Sequence, residues 1–269
     1  MTRLGFIGGG NMAEALIAGL LKAKLLDPEK IQVSDVRDER LTELAAKYKV
    51  RTARNNLDVV RENETLILAV KPQQTKELLD EIASSVESHQ LVISIAAGIT
   101  IKYLEAKFPR QVPIVRVMPN TAAGVQEVAA GVSAGTRATA VHRDLVVRLF
   151  NAIGEAVEVT EEQMDAVTAL SGSGPAYVFH LVEALVDAGK AEGLPDETAR
   201  ALAVQTVYGA AKMLSLSAED PGELRRKVTS PGGTTEAAFK VLESKAWAET
   251  LKEAVHAARV RSEELAQAG

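Results

Sequence analysis

The sequence predicts an α/β protein in two parts, a parallel sheet covered by helices followed by an all-α half. Three observations predict it. Up to Thr160, short apolar, β-branched runs alternate with segments of helical spacing. Beyond Thr160 the strand-like runs stop, and Ala, Leu and Glu dominate. The 269 residues are 46% hydrophobic and 25% charged, the balance of a globular chain with room for one large or two modest cores.

The strand candidates are 4–7, 31–34, 65–70, 91–95 and 114–117, with two further ones at 131–134 and 156–159. Helical spacing covers 12–24, 39–48, 74–86, 101–108 and 140–151 between them. Near-continuous apolar strands separated by helices need cover on both faces, which is the signature of a parallel sheet. The second half reads as helices over 162–170, 176–192, 197–216, 222–228, 235–243 and 246–266. Gly193-Leu194-Pro195 separates the second of these from the third, and Pro231 with Gly232-Gly233 stops the fourth. The expected domains are therefore 1–160 and 161–269. The Ala- and Gly-rich helices have little apolar area each, so the sequence predicts a homo-oligomer that pairs through the helical domain.

Composition also narrows the function. With no cysteine, disulfides and thiolate chemistry are ruled out. A net charge of −5, from 31 basic and 36 acidic residues, speaks against nucleic acid as a partner. Aromatics at 4% give no stacking platform. No apolar run reaches the ~20 residues of a membrane span. Glycines at 8–10 interrupt the N-terminal apolar run and no small-residue cleavage site follows, so a cytoplasmic protein is expected. His89, His142, His180 and His256 lack metal-ligand spacing, and no metal is expected. His180, in an apolar helical segment, is expected in a core or interface. No G-x-S-x-G elbow supports hydrolase chemistry.

The strongest motif opens the chain. Gly8-Gly9-Gly10-Asn11-Met12-Ala13 is G-x-G-x-x-A between a strand and a helix. Gly8 allows the tight turn, Gly10 lets backbone approach a pyrophosphate, and Ala13 lets the helix pack on the strand. The helix start then offers N–H groups to phosphate. This makes the first part a Rossmann-type dinucleotide-binding domain. The second strand ends at Ser34-Asp35-Val36-Arg37. Asp35 suits the ribose 2′-hydroxyl of NAD, whereas Ser34 and Arg37 suit the 2′-phosphate of NADP, so both cofactors stay open. A plain turn at Asp35 competes with either reading.

Ala69-Val70-Lys71-Pro72 and Met118-Pro119-Asn120-Thr121 follow the carboxyl ends of strands, where such sheets bind ligands. Ser171-Gly172-Ser173-Gly174-Pro175 reads as a small-residue loop running into a helix. Ser230-Pro231-Gly232-Gly233-Thr234-Thr235 precedes another helix. Its N–H groups could form an anion pocket for a small carboxylate, and Arg225-Arg226-Lys227 just before it adds positive charge. The plainer alternative is a helix start capped by Thr234.

With these segments in hand, the chain resembles the pyrroline-5-carboxylate reductase family along essentially its whole length. The matching stretches are residues 5–12, 69–72, Ser94-Ile95-Ala96-Ala97-Gly98, 118–121, 171–177 and 230–235. The resemblance implies reduction of 1-pyrroline-5-carboxylate to L-proline with NADPH or NADH, by an all-α dimerisation domain joined to the nucleotide domain. It implies homodimers that assemble further, up to decamers, with active sites between the cofactor domain of one subunit and helices of the dimer. Gly8, Gly10, Asn11 and Met12 should touch cofactor phosphates, and Asn56 should lie by the adenosine. Ala69, Val70, Lys71 and Pro72, with Ala96 and Ala97, should border the nicotinamide half. Ser230, Gly233, Thr234 and Thr235 should bind the substrate, with Thr235 as the catalytic residue near the ring nitrogen. Two positions depart from the pattern of some relatives: Asp35 replaces a small hydroxyl residue, and Lys227 replaces asparagine. The alternatives are a β-hydroxyacid dehydrogenase or other imine reductase of the same architecture, or a non-catalytic dinucleotide-binding protein. The first relies on a helical lysine, for which Lys190 is available, but Leu194 stands where an asparagine would follow.

Overall fold

The computed structural model describes residues 3–268. The chain divides into two compact units. One holds the residues up to Ser173 and those from Ala258 onward, and the other is Gly174–Ala257. Of the residues from 161 onward, those before Gly174 and after Ala257 thus cluster with the sheet.

The first unit alternates as its apolar pattern requires: β1 (Leu4–Ile7), α1 (Asn11–Lys22), β2 (Ile31–Ser34), α2 (Asp38–Tyr48), β3 (Arg51–Ala53), α3 (Asn56–Glu62), β4 (Thr65–Leu68) and α4 (Pro72–Ile82). It continues with β5 (Leu91–Ser94), α5 (Ile101–Lys107), β6 (Ile114–Met118), β7 (Val128–Ala134), α6 (Ala140–Phe150), β8 (Gly154–Glu158) and α7 (Met164–Val167). The strand order is β3-β2-β1-β4-β5-β6-β7-β8. All neighbours run parallel except β6 and β7. The first six strands have the Rossmann order, in which the chain reverses direction across the sheet after β3, crossing back to place β4 beside β1.

Every residue of β1, β2, β4 and β5 is buried, because helices cover both faces. Successive side chains point to opposite faces and so build two cores. Phe6, Val33 and Ile67 pack with Leu16, Ile17, Leu20 and Phe150 on one face. Ile7, Leu66 and Leu68 pack with Val59, Leu79, Ile82 and Leu104 on the other. Each such side chain contributes about 1.5–3 kcal/mol on burial. Pairing puts Ile7 level with both Ser34 and Leu68, and Leu68 level with Ser94. The residues that follow these strands therefore share one rim.

Several elements differ from the sequence expectation. β3 and α3 carry no periodic apolar signal, since β3 is a three-residue edge strand and α3 buries only Val59 and Val60. Residues 69 and 70 lie beyond β4, and α4 starts at Pro72, whose missing N–H costs nothing in the first turn. β7 begins at Val128 rather than 131. Residues 171–175 form no loop. A π-helical turn spans Thr168–Gly172, and the next helix begins at Gly174. The Ser173 N–H bonds the Thr168 carbonyl five residues back at 2.8 Å. The hydroxyls of Thr168 and Ser171 donate to carbonyls of the preceding turn, so these small polar residues are satisfied within the helical turn.

The second unit consists of α8 (Gly174–Ala191), α9 (Asp196–Leu216), α10 (Pro221–Lys227), α11 (Thr234–Ser244) and the first half of α12 (Trp247–Ala268). Its only buried apolar residues among those described are Ala199 and Ala203. Phe179, Leu202, Tyr208, Met213 and Trp247 are exposed. His180 is no core residue of the chain: its ring is exposed, with Nδ1 3.2 Å from the Glu183 carboxylate. Among the described residues, no helix is long and apolar enough to cross a membrane.

Gly154 opens β8 at φ +150°, where an added Cβ would collide with the backbone of Val128 on β7. Gly154→Ala should destabilise the first unit by about 2–3 kcal/mol. In thermal melting that is a fall of about 5–10 °C.

Candidate functional site

The rim at the carboxyl ends of β1, β2 and β4 is built around Gly8. Its φ is +100°, and an added Cβ would stand 2.7 Å from the Ala69 carbonyl oxygen, so only glycine fits. Its N–H donates to the Ser34 carbonyl at 2.8 Å, and the Ala69 N–H donates to the Ile7 carbonyl at 2.8 Å. These bonds tie the turn to both neighbouring strands. Gly10 caps α1 with extended backbone, and no side chain caps that helix start. A Cβ on Gly10 would meet nothing within 4 Å. The start of α1, with Asn11 exposed and Met12 half-buried, thus faces open space with its first N–H groups uncapped. That arrangement attracts phosphate. The residues present fit a dinucleotide's pyrophosphate.

Gly9 is gripped at both backbone polar atoms. Its N–H donates to Asp35 Oδ2 at 2.9 Å, and its carbonyl accepts from Arg40 Nε at 2.6 Å. Asp35 Oδ1 accepts from the Arg37 N–H at 3.0 Å and from Arg37 Nε at 3.2 Å. Burial raises the Asp35 carboxyl, but these N–H donors and the Arg37 charge outweigh it and hold it below the usual range. Ser34 is buried, and its hydroxyl donates to Asn56 Oδ1 at 2.8 Å. Asn56 in turn donates to Glu81 at 2.9 Å. Arg37 keeps 60% of its side chain exposed.

Ala69 and Val70 are half-buried, Lys71 is exposed at the N-cap of α4, and Ala96 is buried beside exposed Ala97. All follow β4 or β5 on the same rim. Asn120, after β6, donates to the Ser171 carbonyl at 3.1 Å and accepts from the N–H groups of Ala122 and Ala129. It pins the β6–β7 connection.

In the second unit, Gly233 rather than Thr234 is the N-cap of α11, and no side chain caps that helix. Thr234 already has helical backbone because Gly232, at φ +70°, makes the turn one residue earlier. The Gly232 N–H donates to Glu236 at 2.7 Å, and the Gly233 N–H to the Ser230 carbonyl at 3.0 Å. Thr235 is half-buried, while Ser230 and Thr234 are exposed. The preceding basic run is partly neutralised. Lys227 pairs with Glu219 at 2.5 Å, and Arg225 lies 5.0 Å from the Phe239 ring centre. Lys190 is held by Asp196 at 3.1 Å.

Sequence reasoning missed Arg40 and Glu14. Arg40 is buried although it sits on a polar helix, and its Nη2 donates to Glu14 Oε2 at 2.5 Å. Glu14 also accepts from Lys47 and Tyr48, each at 2.9 Å. The partners lie 26 to 34 residues apart, so no local pattern betrays them. Lys47 above all, then Arg40 and Tyr48, pull the Glu14 carboxyl from 4.5 to about 2 against the opposing effect of burial. A carboxyl that titrates lower in the folded state stabilises the fold fully above about pH 5 and loses that contribution as pH falls toward 2. Between pH 6 and 2.5, the melting temperature of Glu14→Gln should start lower and fall less steeply than that of the parent chain.

Residues 161–265 match the family described as pyrroline-5-carboxylate reductase dimerisation, and residues 3–98 match NADP oxidoreductase, coenzyme F420-dependent. Pyrroline-5-carboxylate reductase of Methanosarcina acetivorans is 44% identical over 263 residues, spanning 98% of this chain and 97% of that protein. A solved pyrroline-5-carboxylate reductase from Coxiella burnetii aligns at a TM-score of 0.92 and 40% identity over 98% of both chains. The Plasmodium falciparum pyrroline carboxylate reductase, solved with NADP bound, aligns at 0.85 and 31% identity, again over 98% of both. With relatives this similar from end to end, and with the glycine turn and the Gly233–Thr235 helix start both in place, the chain belongs to the pyrroline-5-carboxylate reductase family.

Proposed function

We propose that this chain reduces 1-pyrroline-5-carboxylate to L-proline with NADPH or NADH, the last step of proline synthesis. The observation that carries this reading is full-length similarity to reductases of that name, joined to a glycine turn whose open helix start suits a pyrophosphate. A bound nicotinamide supplies the hydride that the ring carbon C5 accepts. The chain's own residues bind and orient. Gly8, Gly10, Asn11 and Met12 hold the pyrophosphate. Ser34, Arg37 and Asn56 lie toward the adenosine end, and Ala69–Pro72 with Ala96 and Ala97 border the nicotinamide. Gly233, Thr234 and Thr235 grip the substrate carboxylate with the N-terminal N–H groups of α11, beside Ser230. The imine nitrogen enters protonated from water, which makes C5 electrophilic. The Thr235 hydroxyl accepts a hydrogen bond from that nitrogen and fixes the ring's orientation, the kind of positioning that can lower a barrier by ~7–11 kcal/mol. The exposed apolar side chains of the second unit and the match to a dimerisation family support a homodimer through these helices, and the higher assembly we propose is a decamer.

A steady-state assay of the pyrroline imine with NADPH and NADH in parallel tests the reading, and no cofactor oxidation with either would refute it. Thr235→Ala should lower kcat/KM by at least ~tenfold, the worth of one hydrogen bond of ~1.4 kcal/mol in the transition state. Gly10→Val separates binding from folding. Its Cβ has free space in the fold, so the melting temperature should hold, while affinity for NADPH measured by fluorescence titration should fall by ~tenfold or more as the side chain fills the phosphate's approach.

A further inference from the structure

We propose that Asp35 and Arg40 are a positioning pair for the phosphate-binding turn, and that neither reads the adenosine ribose. This inference rests on the dinucleotide reading above and assigns the two residues within it. An amide is planar, so fixing one of its polar atoms fixes the other. The Gly9 carbonyl belongs to the same plane as the Gly10 N–H, and Arg40 Nε holds that carbonyl at 2.6 Å. The Gly10 N–H is thereby aimed away from Arg40. The Gly9 N–H shares its plane with the Gly8 carbonyl, and Asp35 Oδ2 holds it at 2.9 Å. The two amides flanking Gly9 are thus set by side chains of opposite charge, one from the end of β2 and one from α2. Glycine has the widest backbone freedom of any residue, and three in succession would otherwise leave these planes free to turn.

Both side chains are engaged within the turn and largely buried. The other guanidinium nitrogens of Arg40 bond Glu14 at 2.5 Å and Glu43 at 2.7 Å, and its side chain is 9% exposed. Asp35 is 10% exposed, and its second oxygen is taken twice by Arg37. An acidic residue in this place would ordinarily favour the 2′-hydroxyl of NAD. Here its charge is spent inside the turn and on Arg37, which leaves the guanidinium of Arg37 as the exposed charge at that edge.

The test is fluorescence titration of the full-length chain with NADPH, NADH and reduced nicotinamide mononucleotide, which lacks the pyrophosphate bridge. In Arg40→Met, the Kd values for NADPH and NADH should both rise by roughly tenfold, as expected for losing a bond to a charged group, with their ratio unchanged within about threefold. The Kd of the mononucleotide should not move, whereas a general loss of structure would weaken all three. Arg40→Lys, which can still donate to the Gly9 carbonyl, should recover most of the loss and carries the test should the methionine variant fail to fold. Asp35→Asn, which keeps an acceptor for the Gly9 N–H, should leave the NADPH-to-NADH ratio within about threefold. A ratio shift of ~tenfold or more in any of these variants makes the residue a ribose reader and overturns the proposal, as does unchanged affinity in Arg40→Met. Failure of the parent chain to bind either dinucleotide would instead refute the cofactor reading itself.

Discussion

The contact between Gly8 and the Ala69 carbonyl governs the first unit's chemistry. β1 and β4 are hydrogen-bonded neighbours whose ends lie level, so the chain leaving β1 must turn over the top of β4 at backbone distance. A side chain at Gly8 would push the turn outward and carry the start of α1 with it. Because the turn stays tight, α1 begins directly above the sheet edge, with Ala13, Leu16 and Ile17 buried in the core and its uncapped end at the rim. The open, uncapped helix start is a by-product of close packing between two strands and one helix. For the same reason, steric crowding at Gly8 and empty space at Gly10 sit two residues apart, and each needs glycine on different grounds.

Most of this was legible in the sequence where the physics is local. Short strands buried on both faces are mostly apolar, and 4–7 and 91–95 announce themselves that way, whereas 31–34 also buries Gln32 and Ser34. The G-x-G-x-x-A spacing encodes the turn and the helix start in six consecutive residues. The misses share a cause. β3 is an edge strand whose pairing comes from Gln32, Val33 and Ser34 rather than from its own residues. In the helical 168–172 turn the hydroxyls of Thr168 and Ser171 find carbonyls four residues back, and residues of that kind read equally well as loop chemistry. Arg40 looks like any surface arginine on α2 until Gly9 and Glu14 are brought to it by the sheet.

The second unit obeys the opposite logic. Its helices are long, yet the chain buries only two alanines within it. Small residues such as Gly189 and Ala199 let α8 and α9 approach closely, since a Cβ on Gly189 would come within 3.1 Å of the Ala199 Cβ. Close approach conserves backbone geometry but leaves the larger apolar side chains, Phe179 and Tyr208 among them, pointing outward. An apolar surface of that kind marks a protein interface, in keeping with the dimerisation family that this region matches. The sequence foreshadowed it through composition alone: an Ala- and Gly-rich helical half cannot make a sufficient core from one copy.

Charge placement in the first unit separates structure from function more sharply than hydrophobicity does. Glu14, Arg40, Lys47 and Tyr48 form a network centred on the Glu14 carboxylate, which accepts from the other three. The α1 N-terminus has the reverse character, with donors and no internal acceptor. A buried arginine without partners would be severely destabilising. Here the carboxylates of Glu14 and Glu43 compensate it, which frees Nε to hold a single carbonyl of the turn. Paired charges therefore lie beside a small set of uncapped backbone donors at the start of α1, and the exposed guanidinium of Arg37 stands at the same edge, so an anion meets both there.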